Sequence, residues 1–204
     1  MVQVKKVAIR EAITRSALGL FSEKGYSRTT IAQIAERAEI TTSNFYRYYD
    51  SKLDVFFAVF GPWLRSHLDA LEQRVMGISD PRERLREVFI GLWCDIPRAD
   101  NGFNNNIVEA LAAFSPEQRY SRSLLIESER RVWGMVAGCV PENRWQYIND
   151  SRLSHLMFMA GDGFALNVKL GGPSPLIGPI IEMMCTLILG EDCRKLPEIE
   201  GEFQ

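Results

Sequence analysis

Between Thr41 and Lys52 the sequence reads TTSNFYRYYDSK, and its polar members are spaced for recognition rather than for packing. With Thr41 or Thr42 as the cap of a short helix, Phe45 and Tyr49, four apart, share the inward face with Ile40 behind them. At about 100° per residue the opposite face then carries Ser43 and Arg47, with Asn44 and Tyr46 on its flanks. Hydroxyls, an amide, a phenol and a guanidinium form a poor seam against another helix. They are good donors to phosphate oxygens, and Asn can pair with adenine and Arg with guanine through two hydrogen bonds, each worth roughly 1–3 kcal/mol of discrimination. The plain alternative is a surface helix whose polar residues fell there by chance.

The neighbouring residues are suited to holding such a helix in place. Ile31, Ile34, Ala35 and Ala38 recur at helical spacing, and Thr30 or Thr29 can cap their helix, so the spacing predicts two short helices joined by a tight turn. Upstream, Ile9, Ile13, Ala17, Leu20 and Phe21 make a longer stripe from Val4 to Lys24, stopped by Gly25 and placed to brace the pair. Lys5, Lys6 and Arg10 lead that helix and suit either a basic arm along a DNA backbone or a solvated helix end. The whole chain has a net charge of −2, but residues 1–52 hold nine Lys or Arg against five acids, leaving +4 here and −6 beyond. Concentrated positive charge at the candidate reading element is the footprint expected of phosphate binding.

The order Gly25-Tyr26, Thr29-Thr30, Ile34-Ala35, Ile40-Thr41, Phe45-Tyr46, Tyr48-Tyr49, Ser51-Lys52 resembles the N-terminal DNA-binding domain of the TetR family of one-component transcriptional regulators, over roughly residues 7 to 57. Past that point only helical character and length agree. The resemblance implies that Thr41, Thr42, Ser43, Asn44 and Arg47 meet base edges or adjoining phosphates, while Thr29, Tyr46, Tyr48 and Lys52 hold the backbone. It also implies an effector pocket in the second domain and a homodimer built from the last two long helices. Two positions depart from the pattern. Ser43 stands where the family often has Gly, which would change the bases read, and Phe45 replaces the usual Leu, which would only repack the core.

We divide the chain at residue 52, with a DNA-binding domain over 1–52 and a helical effector-binding and dimerisation domain over 53–204. Ser51 caps a helix whose stripe runs Leu53, Phe56, Phe57, Phe60, Leu64, Leu68, Leu71 and Val75, and Pro62 inside it predicts a kink or break between Ala58 and Gly61. Asp80-Pro81 opens the next helix, with Leu85, Val88, Phe89, Leu92, Trp93 and Ile96 on one face, ending before Pro97. Arg98 to Asn106 reads as a polar turn before a short helix bearing Ile107, Leu111 and Phe114. Ser115-Pro116-Glu117-Gln118 has the order of a capping box and opens a long helix to about Gly138. A helical spacing then runs from Trp145 to Leu166, and a last helix carries Ile177 to Ile188 and stops at Gly190. No strand-like alternation appears, so the fold expected is all-α, about nine helices.

Phe60, Trp63, His67, Phe89, Trp93, Phe103, Ile107, Leu111, Trp133 and Phe158 could wall a pocket for a mostly apolar effector, with His67 or Asn106 as its polar group. Aromatics at helical spacing serve equally well as core. Leu176 to Leu189 is apolar enough to need cover on more than one side, and Ala160, Gly161, Gly163 and Ala165 permit close helix approach, in keeping with a dimer seam or an internal core helix.

Other chemistries find little support. Cys94, Cys139, Cys185 and Cys193 are scattered without metal-ligand spacing or a disulfide pattern, and His67 and His155 are the only histidines. No nucleophile elbow or Gly-rich phosphate loop is present. The N-terminus lacks a signal core, and Asp162, Asn167 and Lys169 interrupt the most apolar long run. Together with the resemblance, which implies the dimer and the effector, the sequence predicts a cytoplasmic, non-enzymatic, homodimeric regulator without cofactor or metal, a repressor of double-stranded operator DNA released by a small effector. The rival is a helical carrier or enzyme whose N-terminal helices dock a protein partner.

Overall fold

The computed structural model describes residues 2–113, 122–148, 151–172 and 174–191. Helices and the turns between them account for these residues, with no strand among them. The chain forms two compact units, one of residues 1–66 and 98–121, the other of 67–97 and 122–204. These units are not divided at residue 52, where the sequence suggested a boundary: the first unit takes in part of the fourth helix and a later segment.

In the first unit, α1 (Val2–Lys24) ends at Gly25, whose φ of +85° is a left-handed value that suits glycine. The loop to Thr29 leads into α2 (Ile31–Arg37), and Thr30 is its cap. The Thr30 hydroxyl accepts from the Gln33 N–H at 3.2 Å while Gln33 Oε1 accepts from the Thr30 N–H at 3.0 Å, a reciprocal capping box. Beyond Ala38, Glu39 takes φ +56° and the Ile40 N–H reaches back to the Ala35 carbonyl at 2.9 Å, making the tight turn. Next, α3 (Thr42–Phe45) is capped by Thr41, whose oxygen accepts from the Asn44 N–H at 3.1 Å. Ser51 accepts from the Asp54 N–H at 3.0 Å at the head of α4 (Lys52–Met76). Ile13, Ala17, Phe21, Ile34, Phe45 and Phe56 make the centre of this unit, with the Phe21, Tyr26 and Phe56 rings 5.4–5.6 Å apart.

Pro62 does not break α4, which continues to Met76. The residue is exposed, so its ring finds room on the solvent side. Pro97 follows a π turn (Gly91–Asp95) without interrupting the helical run, which passes into α6 (Ile96–Gly102) and loses helical geometry only at Ala99. Ala99, Asp100 and Asn101 then leave helical geometry, and Asp100 (φ +48°) and Asn101 (φ +58°) precede Gly102 (φ +75°) in a left-handed turn. The Trp63 indole N–H donates to Asp100 Oδ2 at 2.5 Å and secures it. The segment α7 (Asn105–Ala112) follows. Phe114 and the Ser115–Gln118 capping sequence lie outside the described residues, as do Cys193 and the acidic tail.

In the second unit, α5 (Pro81–Ile90) is capped by Asp80, which accepts from the Glu83 N–H at 2.7 Å. The chain then widens into a π-helical turn over Gly91–Asp95, which the apolar periodicity gave no sign of. Beyond α8 (Ser123–Val136) and the short α9 (Trp145–Ile148) come α10 (Ser151–Gly171) and α11 (Ile177–Leu189), the last closed by Gly190 at φ +73°. The π turn packs against α10. There Phe89 and Trp93 sit 4.5 Å apart, Trp93 and Phe164 5.1 Å apart, and the Trp93 N–H donates to the Met157 carbonyl at 2.7 Å. Glu182 on α11 pairs with Arg82 at 2.8 Å and Arg86 at 2.9 Å, tying α11 to α5. Burial opposes the charge on Glu182, but these two guanidiniums outweigh it and hold its pKa below the ordinary 4.5.

Gly161 is where α10 comes close to the π turn: a methyl group there would lie 3.2 Å from the Trp93 ring and 3.3 Å from the Leu92 carbonyl. Gly161→Ala is expected to destabilise the protein by about 1–3 kcal/mol in denaturant unfolding. At Gly134, where an added methyl meets nothing within 4 Å, alanine is expected to stabilise α8 by roughly 0.5–1 kcal/mol.

Candidate nucleic-acid interface

The reading element is positioned by the loop Gly25–Thr29, because that loop fixes how α1 meets α2. Thr29 is fully buried, and its hydroxyl lies 2.8 Å from the Gly25 carbonyl and 3.3 Å from the Leu20 carbonyl. It therefore closes the end of α1 and cannot also touch a phosphate, contrary to the expectation from sequence. Lys52 is likewise engaged inside the protein. Its ammonium donates to the Tyr26 carbonyl at 2.9 Å and the Thr29 carbonyl at 3.0 Å, and rests 4.1 Å from the centre of the Tyr26 ring. Desolvation pushes the Lys52 pKa down, against the opposing pull of the Glu109 carboxylate. Glu109 Oε2 accepts the Ser27 N–H at 2.8 Å. One loop is thus held from α4 and from α7. Glu109 was missed in the sequence because its partner is 82 residues away and no local pattern marks the pair.

The face of α3 divides as its spacing predicts. Phe45 is fully buried and Tyr49 nearly so, and the Tyr49 hydroxyl accepts from Arg10 Nε at 3.2 Å, which braces α3 from α1. Thr41, Thr42, Ser43, Tyr46 and Arg47 are exposed, while Asn44 and Tyr48 are half-buried. The helix proper is four residues long, with the chain turning at once after Phe45, so Tyr46 and Arg47 project from a turn rather than from a second helical turn. The Phe45 ring packs against those of Tyr46 and Tyr49, with centroids 5.7 and 5.9 Å apart.

The ten candidate effector residues do not fall in one compact unit. Phe60, Trp63, Phe103, Ile107 and Leu111 belong to the first, and His67, Phe89, Trp93, Trp133 and Phe158 to the second. Phe89 and Trp93 are core: both are buried and the Trp93 N–H is already used. Leu111 is 40% exposed and walls no enclosed space by itself. Phe103 is the hub of the first group, 5.1 Å from Trp63 and 6.2 Å from Phe60. Beside it stands a feature the sequence only hinted at. Asn105 Oδ1 and Asn106 Oδ1 are buried without a hydrogen-bond partner, an omission that costs about 1–3 kcal/mol apiece. No group of three or more His, Cys, Asp or Glu is placed to hold a metal ion among the described residues, and no helix there is long and apolar enough to cross a membrane.

On α10 and α11, Leu156, Met159, Leu166, Met183 and Leu187 are large apolar side chains left exposed. An open cleft of about 470 Å³ between α9, α10 and α11, lined by Leu153, Leu156, Leu187 and Ile188 with Arg144 and Arg152, continues that surface.

Comparison with known proteins agrees with this geometry. Residues 13–59 match the family model for bacterial regulatory proteins of the tetR family. The chain is similar to the transcriptional regulator HbdR of Aromatoleum sp. (strain CIB), 37% identical over 76 residues, and to TcmR of Streptomyces glaucescens, 38% identical over 80 residues. These matches take in 37% and 39% of this chain and only 33% and 35% of the relatives' own lengths. Among solved structures, RolR in complex with resorcinol superposes with a TM-score of 0.64 at 21% identity, over 98% of this chain and 100% of that one. FadR of Bacillus subtilis, solved with stearoyl-CoA, gives 0.57 at 15% identity over 89% and 98%. At such identities the likeness is one of fold, and it extends through both units. Residues 13–59 thus carry the N-terminal domain of the tetR family of bacterial regulatory proteins, and beyond them the chain shares the fold of these structures.

Proposed function

We propose that the protein is a homodimeric, cytoplasmic transcriptional regulator without enzymatic activity, a repressor that leaves its operator when a small, largely apolar effector binds. The observation that carries the reading is the division of α3, where Phe45 is sealed in the core while Thr42, Ser43, Tyr46 and Arg47 stand in solvent on the reverse side. A surface helix without a partner has no use for such a concentration of short donors. In this role Arg47 and Asn44 read base edges, Thr41, Thr42 and Ser43 meet bases or adjoining phosphates, and Tyr46 and Tyr48 hold the backbone. Thr29 and Lys52 act one step back, by fixing the loop on which α2 depends.

The exposed leucines and methionines of α10 and α11 favour a dimer, since apolar surface of this kind is buried by a second copy at about 25 cal/mol per Å². Two copies would set their reading elements about 34–36 Å apart, one turn of the duplex. For the effector, Phe60, Trp63, Phe103 and Ile107 remain the candidates that one unit brings together.

Arg47→Ala and Asn44→Ala are each expected to weaken binding to the protein's own upstream DNA by roughly 5- to 150-fold in fluorescence anisotropy, the equivalent of 1–3 kcal/mol. Unchanged affinity in both would remove α3 as the reading element. Parent affinity is expected to fall by about 10³-fold or more between 50 and 200 mM salt, and a flat salt response would favour docking on a protein partner instead. Leu156→Glu combined with Leu187→Glu is expected to convert a dimer to a monomer in analytical ultracentrifugation and to abolish operator binding at nanomolar protein; a dimer that survives both changes would place the seam elsewhere.

A further inference from the structure

We propose that Arg10 on α1 is a phosphate-binding residue of the DNA interface, its guanidinium aimed by the hydroxyl of Tyr49, so that two helices rather than α3 alone build the reading surface. The inference rests on the DNA-binding reading above and adds to it a residue outside the helix-turn-helix. From its place in the sequence Arg10 suits a loose basic arm or a solvated helix end; in the structure it is neither. It lies about two turns inside α1 and reaches across to the segment that follows α3.

The geometry keeps one edge of the guanidinium for a ligand. Arginine carries five N–H donors in a rigid plane. The one on Nε donates to the Tyr49 hydroxyl at 3.2 Å, and the guanidinium carbon lies 5.1 Å from the centre of the Tyr49 ring, so two contacts fix where the plane stands. Both are to a single residue, and among the described residues Arg10 forms no ion pair. The four N–H groups on Nη1 and Nη2 are left over, on a residue that is exposed. Such a fork matches two oxygens of a phosphate.

Tyr49 supports the same assignment from the other side. It is 5% exposed and its ring packs 5.9 Å from that of Phe45, a place that phenylalanine would fill as well. What the hydroxyl adds is the bond to Arg10. Tyr49 follows directly on Tyr46, Arg47 and Tyr48, so the guanidinium stands against the short segment that carries donors proposed above for the DNA. Lys6, one turn before Arg10 on the same face of α1, is exposed and extends the positive edge.

The test reads the salt dependence of binding to labelled upstream DNA, with the full-length protein in fluorescence anisotropy between about 50 and 200 mM salt. Each phosphate contact given up flattens the slope of log affinity against log salt by about 0.9, hence by about 1.8 for a dimer that loses two. Arg10→Ala is expected to show that change, with affinity about tenfold lower at low salt for upstream DNA and for an unrelated duplex alike, because a phosphate contact carries no sequence information. Arg10→Gln, whose amide can still hydrogen-bond the Tyr49 hydroxyl but has no charge, is expected to flatten the slope equally. Tyr49→Phe keeps the charge and is expected to bind about 2- to 10-fold more weakly at the parental slope, the factor of one ordinary hydrogen bond. A parental slope in Arg10→Gln would overturn the proposal and reduce Arg10 to a brace between helices, and so would a loss in Arg10→Ala confined to upstream DNA. Full affinity in Tyr49→Phe would overturn the aiming role of its hydroxyl. Arg10→Gln decides the matter even if Arg10→Ala fails to fold. A parent protein with no salt-dependent affinity for DNA would instead contradict the regulator reading itself.

Discussion

The reading domain depends on how the five residues Gly25–Thr29 are held. A loop joining two helices leaves carbonyls at the end of one and N–H groups at the start of the other without helical partners, and a loop that leaves them unmet does not hold one shape. Here Thr29 answers the Leu20 and Gly25 carbonyls, Lys52 those of Tyr26 and Thr29, and Glu109 the Ser27 N–H. Each of the three comes from a different part of the chain. The orientation of α2, and through its Glu39 turn that of α3, follows from hydrogen bonds that these side chains make within the protein. Thr29 and Lys52 therefore matter to the motif through the loop they hold.

The second unit is built on close approach rather than on capping. Gly91 leaves room for Leu71, whose methyl carbons lie 2.4–2.7 Å from where a side chain at residue 91 would begin, and Gly161 admits Trp93. The π turn between them places the Trp93 N–H on the Met157 carbonyl, inside α10. Ion pairs from Arg82 and Arg86 to Glu182, and from Arg131 to Asp69 and Glu72, fasten the edges of this packing. What stays uncovered is apolar surface on α10 and α11, the property a self-associating helix pair requires.

Much of the helical framework was legible in sequence because its signals are local. Caps at Thr41, Ser51 and Asp80, stops at Gly25 and Gly190, and the stripe of α1 each involve residues within a few positions of one another. Burial of Phe45 and Tyr49 beside exposed Arg47 followed from helical spacing in the same way. The internal hydrogen bonds of Thr29 and Lys52 were not legible, because residue type states only that a group can donate, not which carbonyl within the fold lies in reach. The left-handed turn at Asp100–Gly102 and the π turn at Gly91–Asp95 depend on Trp63 and on α10, partners far along the chain, so spacing alone was blind to them. Pro62 and Pro97 show the limit of residue propensity: Pro62 sits at the surface of an unbroken α4, and the helical run through Pro97 loses its geometry only at Ala99.

The central claim is that two copies of a four-residue helix enter successive major grooves on one side of a duplex. Hydroxyl-radical footprinting of the upstream DNA tests it most directly. The account predicts two protected patches on the same face, centred about one helical turn apart and related by approximate two-fold symmetry in the sequence. A single patch, or protection continuous around the duplex, would contradict it.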